Sequence, residues 1–185
     1  PHLAYNPSAH LAIVDIVLGV ADILPIRGFG YLVPRNATNN SDEILGVIFD
    51  SDAVPNQSQR LTKLTVMMGG PYWRHRSSFP NEDDVKERAL RALHSQLGLS
   101  LLTLTSHLEN IYARVMTDTI PQYLVGHPQR MAELKAAIKM HPQWRNRLSL
   151  LGYSYGGVGV NDCIANAMDT CDAICNYEQN RSPLS

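Results

Sequence analysis

The chain is poor in charge and in the groups that usually announce a chemistry. Its 185 residues include 16 Lys or Arg and 17 Asp or Glu, for a formal net charge of −1. A balance so near neutral, with no basic run beyond Trp73-Arg74-His75-Arg76, gives no footprint for nucleic acid, and that short cluster reads as a solvated loop. The three cysteines, Cys163, Cys171 and Cys175, share one helical stretch with no second pair, which argues against zinc and against a disulfide framework. They read as small buried residues of a helix face. The seven histidines show no ligand spacing, so no metal site is expected. The most hydrophobic run, Leu11 to Leu24, is interrupted by Asp15 and Asp22 and is too short to span a bilayer. No targeting segment, repeat or low-complexity stretch is visible. The chain starts at Pro1, directly in strand-like sequence, and reads as a fragment whose beginning is missing. Asn-x-Ser/Thr triplets at Asn36, Asn39, Asn56 and Asn180 arise easily by chance and carry no weight. The dinucleotide fingerprint G-x-G-x-x-G is absent too. After Gly28-Phe29-Gly30 the third place holds Val33, and after Gly157-Val158-Gly159 it holds Asp162.

What is present suits a folded protein: hydrophobic residues are 44% and charged residues 18%. Leu11 to Leu18 alternates, with Ala12, Val14, Ile16 and Leu18 on one face and Leu11, Ile13, Asp15 and Val17 on the other. Further strands are predicted over Gly28–Val33, closed by Pro34, over Ile44–Phe49 and over Leu61–Met68, with polar loops at 35–42 and 50–60. Short polar connections suggest an antiparallel sheet. Asn81 and the acidic run after it open a helix. Val85, Ala89, Leu93 and Leu97 make its apolar stripe and Gly98 stops it. Leu101 to Met116 reads as one or two more strands. Pro128 opens another helix, striped by Met131, Leu134 and Ile138 and ended by Pro142.

The stretch from Leu148 to Asp162 organises the rest. It reads as a buried strand, a turn rich in Gly156, Gly157 and Gly159, and the start of a helix that buries Ile164, Met168, Cys171 and Cys175. Asn161 or Asp162 can cap that helix, and its free N–H groups favour an electron-rich ligand group. Gly152-Tyr153-Ser154-Tyr155-Gly156 also matches the nucleophile elbow of serine hydrolases. That fold needs a histidine after the serine, and the last histidine here is His141. Phe29, Leu32, Ile48 and Met67, taken as bare residues, read as core.

Five segments in order resemble the oxygen-dependent protoporphyrinogen oxidases. They are Gly28-Phe29-Gly30-Tyr31-Leu32-Val33-Pro34, Leu45-Gly46-Val47-Ile48-Phe49-Asp50-Ser51, Leu64-Thr65-Val66-Met67-Met68-Gly69-Gly70, Ile120-Pro121-Gln122-Tyr123 with Gly126-His127, and Tyr155 to Ile164. The likeness runs from about Pro1 to about Ala167 and is greatest to the fungal mitochondrial enzymes. It implies the carboxy-terminal part of a flavoenzyme of the amine-oxidase-like fold. The fold class is then α+β: an antiparallel substrate-binding sheet with helices, ending in a strand–glycine loop–helix that completes an FAD-binding Rossmann-type domain. Residues 1–145 would belong to the substrate-binding domain, 146–178 to the FAD-binding domain, and 179–185 to a polar tail. The implied reaction oxidises protoporphyrinogen IX to protoporphyrin IX with FAD as cofactor and O2 as acceptor, in haem biosynthesis. The resemblance also implies peripheral attachment to the mitochondrial inner membrane and a homodimer. Carried over by position, Val158, Gly159 and Val160 contact the flavin. So does position 153, where the family has a small or amide residue and this chain has Tyr153. Phe29, Gly30, Leu32, Ile48, Met67 and Ile120 line the tetrapyrrole cavity. No residue is assigned as a catalytic base. The family's pyrophosphate fingerprint and propionate-binding arginine would lie upstream, so the chain alone is expected to be inactive. A non-catalytic remnant that binds a hydrophobic partner through the half-cavity is the alternative from another class.

Overall fold

The computed structural model describes residues 5–54 and 60–181. Pro1, part of the 50–60 loop, the Asn56 triplet and the end of the tail lie outside the described residues. The chain divides into two compact units, Ala9–Thr119 and Pro1–Ser8 with Ile120–Ser185.

The larger unit is built on strands β1 (Ser8–Leu18), β2 (Gly30–Leu32), β3 (Ile44–Ile48), β4 (Thr62–Gly69) and β5 (Leu108–Pro121), in the spatial order β2-β3-β4-β1-β5. The pairs β1/β4, β2/β3 and β3/β4 are antiparallel, as the short connections predict. Val14 lies opposite Val66, Ala12 opposite Met68 and Ile16 opposite Leu64, and all six are buried. Period-two patterning puts these apolar residues on one face, and burying each large one contributes about 1.5–3 kcal/mol. Helix α2 (Glu82–Leu97) joins the same core through Val85, Ala89, Ala92 and Leu93. It starts where Asn81 accepts hydrogen bonds from the N–H groups of Asp83 and Asp84, both at 2.9 Å, while Asp84 answers the Asn81 N–H. It ends at Gly98, whose φ of 71° needs no Cβ.

Four expectations for this unit are corrected. The second strand is shorter than 28–33, so Gly28 and Phe29 belong to the loop before it. The 50–60 loop opens with a short helix, α1 (Asp50–Ala53). Leu101–Ser106 forms helix α3 rather than strand, because the Ser100 hydroxyl caps the Thr103 N–H at 2.9 Å and the turn buries Leu104. Trp73 is no part of a solvated loop: it is fully buried and donates its indole N–H to Glu43 at 2.9 Å, and Arg76 pairs with the same carboxylate.

Tyr31 of β2 packs edge-on to Phe49 and donates its hydroxyl to Gln96 at 2.8 Å. Burial pushes its phenol up to about 12. An unfolded tyrosine ionises near 10, so between about 10 and 12 the unfolded chain binds fewer protons than the folded one. Stability should therefore be fully kept below pH about 10 and fall as pH rises through that window. Urea titrations at pH about 9 and about 11 should show the loss, and Tyr31→Phe should flatten it.

The smaller unit carries helices α4 (His127–Met140) and α5 (Val160–Arg181). Helix α4 begins at Gly126 with Pro128 in its first turn, and Met131, Leu134 and Ile138 are half-buried along one side. The strand expected over Leu148–Leu151 is absent: the segment is irregular, since no described strand runs beside it to complete a ladder. Helix α5 starts where predicted, but Ile164 and Met168 are exposed, as are Cys171 and Cys175. The stripe has the apolar repeat of a buried face with nothing in its own unit over it. The opposite side of α5, with Asn166, Thr170, Ala173 and Tyr177, lines a cleft of about 600 Å3 shared with Ile138 and Leu151. None of the residues assigned to flavin or tetrapyrrole lines that cleft.

Candidate functional site

Strand register decides which residues of the sheet meet solvent. Gly30 pairs with Ile48, Ile48 with Thr65, and Thr65 with Asp15. In the next row Leu32 pairs with Gly46, Gly46 with Met67, and Met67 with Ile13. Residues directly opposite in an antiparallel pair share a face. Four of the six cavity positions, Gly30, Leu32, Ile48 and Met67, therefore stand in two adjacent rows on the face turned away from the core. Ile48 and Met67 are half-buried there, and Leu32 is 80% exposed. Phe29, 71% exposed, precedes the first row, and its carbonyl accepts the Phe49 N–H at 2.9 Å.

Gly30 is glycine for a backbone reason. Its φ is 144°, and a Cβ there would lie 2.1 Å from the Val47 carbonyl oxygen. The loop before it is anchored by Asp52, which accepts from the Gly28 N–H at 3.2 Å and from Arg27 at 2.7 Å. The Gly28 bond, followed by the guanidinium, holds the Asp52 carboxyl below the usual carboxylate range. Sequence reasoning missed an acidic edge on the bare face. The Thr65 hydroxyl lies 2.9 Å from both the Asp15 and the Asp50 carboxylates, and its single proton serves one of them at a time. Asp15 was legible as the polar break in the outward side of β1; its meeting with Asp50 was not.

In the smaller unit the glycine segment is shaped by contacts with α5. Gly157 has φ 140°, and a Cβ on it would lie 2.5 Å from the Asp162 Cβ; one on Gly156 would lie 2.8 Å from the Asn166 amide. The Asp162 carboxylate accepts the Gly159 N–H at 3.2 Å. Of the two expected caps it is Asp162 that acts, reaching back from inside the first turn. Its charge is thereby directed to the loop backbone. Tyr153, Val158 and Val160 are 49%, 51% and 76% exposed, and Gly159 is exposed as well. The first N–H groups of α5 have no intrahelical partner. Ser154 gains nothing from the structure as a nucleophile. The strand an elbow requires is missing, and His127, which reaches this loop, bonds the Tyr155 carbonyl at 3.2 Å. Ile120, 37% exposed in β5, belongs to the smaller unit with the flavin-assigned residues, and the other five cavity residues belong to the larger. Among the described residues no group of three or more His, Cys, Asp or Glu could hold a metal ion, and no helix is long and apolar enough to cross a membrane.

These elements define an α+β fold, with helices and an antiparallel sheet. Among solved structures it is similar to a crystal structure from Exiguobacterium sp. described as a candidate protoporphyrinogen oxidase, with a TM-score of 0.73 and 24% identity over 94% of this chain and 36% of that one. At that identity the likeness is one of fold. By sequence the chain is similar to protoporphyrinogen oxidases. It is 35% identical to that of Schizosaccharomyces pombe over 180 residues, 96% of this chain and 35% of the relative. It is 33% identical to the human one over 162 residues, 85% of this chain and 32% of the relative. The chain thus spans about a third of the length of the curated relatives it matches. No family model matches it.

Proposed function

We propose that this chain supplies the tetrapyrrole-binding sheet and a flavin-contacting segment of a protoporphyrinogen oxidase, and that it acts with the remainder of that enzyme rather than alone. The observation that carries the reading is the shared bare face. Gly30, Leu32, Ile48 and Met67 were assigned to the cavity from sequence, and they occupy two adjacent rows turned away from the core. An apolar floor of this kind suits a large, greasy macrocycle. Phe29, Leu32, Ile48 and Met67 give it apolar contact and exclude water, Gly30 lets β2 lie close against β3, and the assignment of Ile120 rests on the resemblance alone.

Tyr153, Val158, Gly159 and Val160 are the residues that would hold FAD. The fit is chemical: bare apolar side chains flank a helix start whose amides favour negative charge by about 0.3–2 kcal/mol, and Asp162 spends its carboxylate on the Gly159 N–H. Bound there, FAD would supply the two-electron redox chemistry that links protoporphyrinogen oxidation to O2. The chain's own residues orient and desolvate, and no general base is required of them. In this reading residues 1–145 belong to the substrate-binding domain and 146–178 complete the Rossmann-type domain, with 179–185 as tail. The exposed Ile164 and Met168 would then be the face that the rest of the enzyme covers. Peripheral attachment to the mitochondrial inner membrane and a homodimer belong to the same reading and rest on the resemblance alone.

The test uses flavin retention. The 185-residue chain, incubated with FAD and desalted, should keep no stoichiometric flavin absorption. A chimera should keep one FAD and oxidise protoporphyrinogen when this chain replaces the matching segment of the S. pombe relative. Stoichiometric flavin on the chain alone, or a folded chimera without flavin, would overturn the reading.

A further inference from the structure

We propose that Tyr123 and His127 form a clasp that fixes the backbone of the flavin-contacting segment, an inference that rests on the oxidase reading above. The chain brings the two rings together by a tight turn. The His127 N–H donates to the Leu124 carbonyl at 3.0 Å, and Gly126 between them has φ 86°. The rings stack with centroids 3.8 Å apart and 13° between their planes. His127 is only 6% exposed, so its ring nitrogens require partners. The Asn6 amide lies 3.0 Å from Nδ1, which leaves Nε2 to donate to the Tyr155 carbonyl at 3.2 Å. The Tyr123 hydroxyl accepts the Gly157 N–H at 2.9 Å and donates to the Tyr153 carbonyl.

Three alternate residues of the loop, Tyr153, Tyr155 and Gly157, are therefore tied by their backbones to one stacked pair. This is the spacing of a strand edge, met here by side chains instead of a neighbouring strand. The pair does for the loop what a ladder would do, while the Tyr153, Val158 and Val160 side chains stay about half exposed or more. A loop that must present bare backbone and apolar side chains to a flat ring has to be held by contacts that do not occupy its ligand side. Tyr123 and His127 are positioning residues in this scheme: they act through residues 153–157 and touch no ligand themselves.

The experiment takes Tyr123→Phe, His127→Leu and His127→Gln into the S. pombe chimera and into the 185-residue chain. In the chain, exchange of the Gly157 amide should quicken about tenfold in Tyr123→Phe, the size expected for loss of one net hydrogen bond. In the chimera, Tyr123→Phe and His127→Leu should weaken FAD binding about tenfold and shift the flavin absorption band. His127→Gln, whose amide can still donate to the Tyr155 carbonyl, should restore both. Circular dichroism checks folding, and Tyr123→Phe keeps the ring stack, so one variant remains readable if His127→Leu unfolds. Unchanged Gly157 exchange overturns the clasp. So does a flavin-binding chimera whose affinity and spectrum ignore Tyr123→Phe. A wild-type chimera with no FAD overturns the oxidase reading first and the clasp with it.

Discussion

Replacing Met68 with alanine will destabilise the chain by about 2–5 kcal/mol, and the same change at Met67 will cost about 1 kcal/mol or less. The two residues are neighbours on β4 and point to opposite faces. Met68 is fully buried and lies opposite Ala12 and Ile44. Its removal leaves a cavity in a close-packed core that relaxes only in part. Met67 lies opposite Ile13 and Gly46 on the bare face and is half-buried. Urea midpoints of the 185-residue chain give both values. In the S. pombe chimera the order should invert: Met67→Ala raises the KM for protoporphyrinogen or lowers turnover, while Met68→Ala acts only through stability. A cost of about 2–5 kcal/mol at Met67 would make it core, and the floor assigned to the tetrapyrrole would be wrong.

Trp73→Ala will cost about 3–5 kcal/mol. The indole is fully buried and packs near Phe79, with ring centroids 5.6 Å apart. It also fills the space beside Gly69, where a Cβ would come within 2.7 Å of the ring. Its N–H answers Glu43, which sits at φ 60° before β3 and also accepts from Arg88 at 3.0 Å. Loss of the ring therefore opens a cavity and takes one donor from a carboxylate whose side chain is 14% exposed. Trp73→Phe separates the two effects. It keeps most of the volume and removes the N–H, so it should cost about 1–3 kcal/mol, the penalty for an unmet polar group. Chemical denaturation of the three proteins decides the matter. If Trp73→Ala were as mild as a surface change, within about 0.5 kcal/mol, the indole could not be the centre of this part of the core.

Local patterning by itself determined the elements whose burial is periodic and whose ends carry their own caps. The alternation from Ala12 to Leu18 came out as a strand with that face buried. The repeat from Val85 to Leu93 came out as a helix between Asn81 and Gly98. The similarity to protoporphyrinogen oxidases was legible as well, because five ordered segments carry far more information than one glycine motif. Tertiary structure decided what depends on a neighbour. Leu101–Ser106 is apolar enough for a strand, and a Ser100 cap with one buried leucine made it a helix. Leu148–Leu151 has a strand's composition but no described partner, and a ladder cannot form from one side. The α5 stripe reads as core in sequence and lies open in the fold, since an apolar period records that a face is to be covered and says nothing of which chain covers it. The Tyr123–His127 clasp joins residues to a loop about thirty positions away, and the Asp15–Thr65–Asp50 edge arises only when β1 and β4 pair in register. Contacts between residues distant in sequence leave no periodic trace, so only the folded chain could bring them to one place.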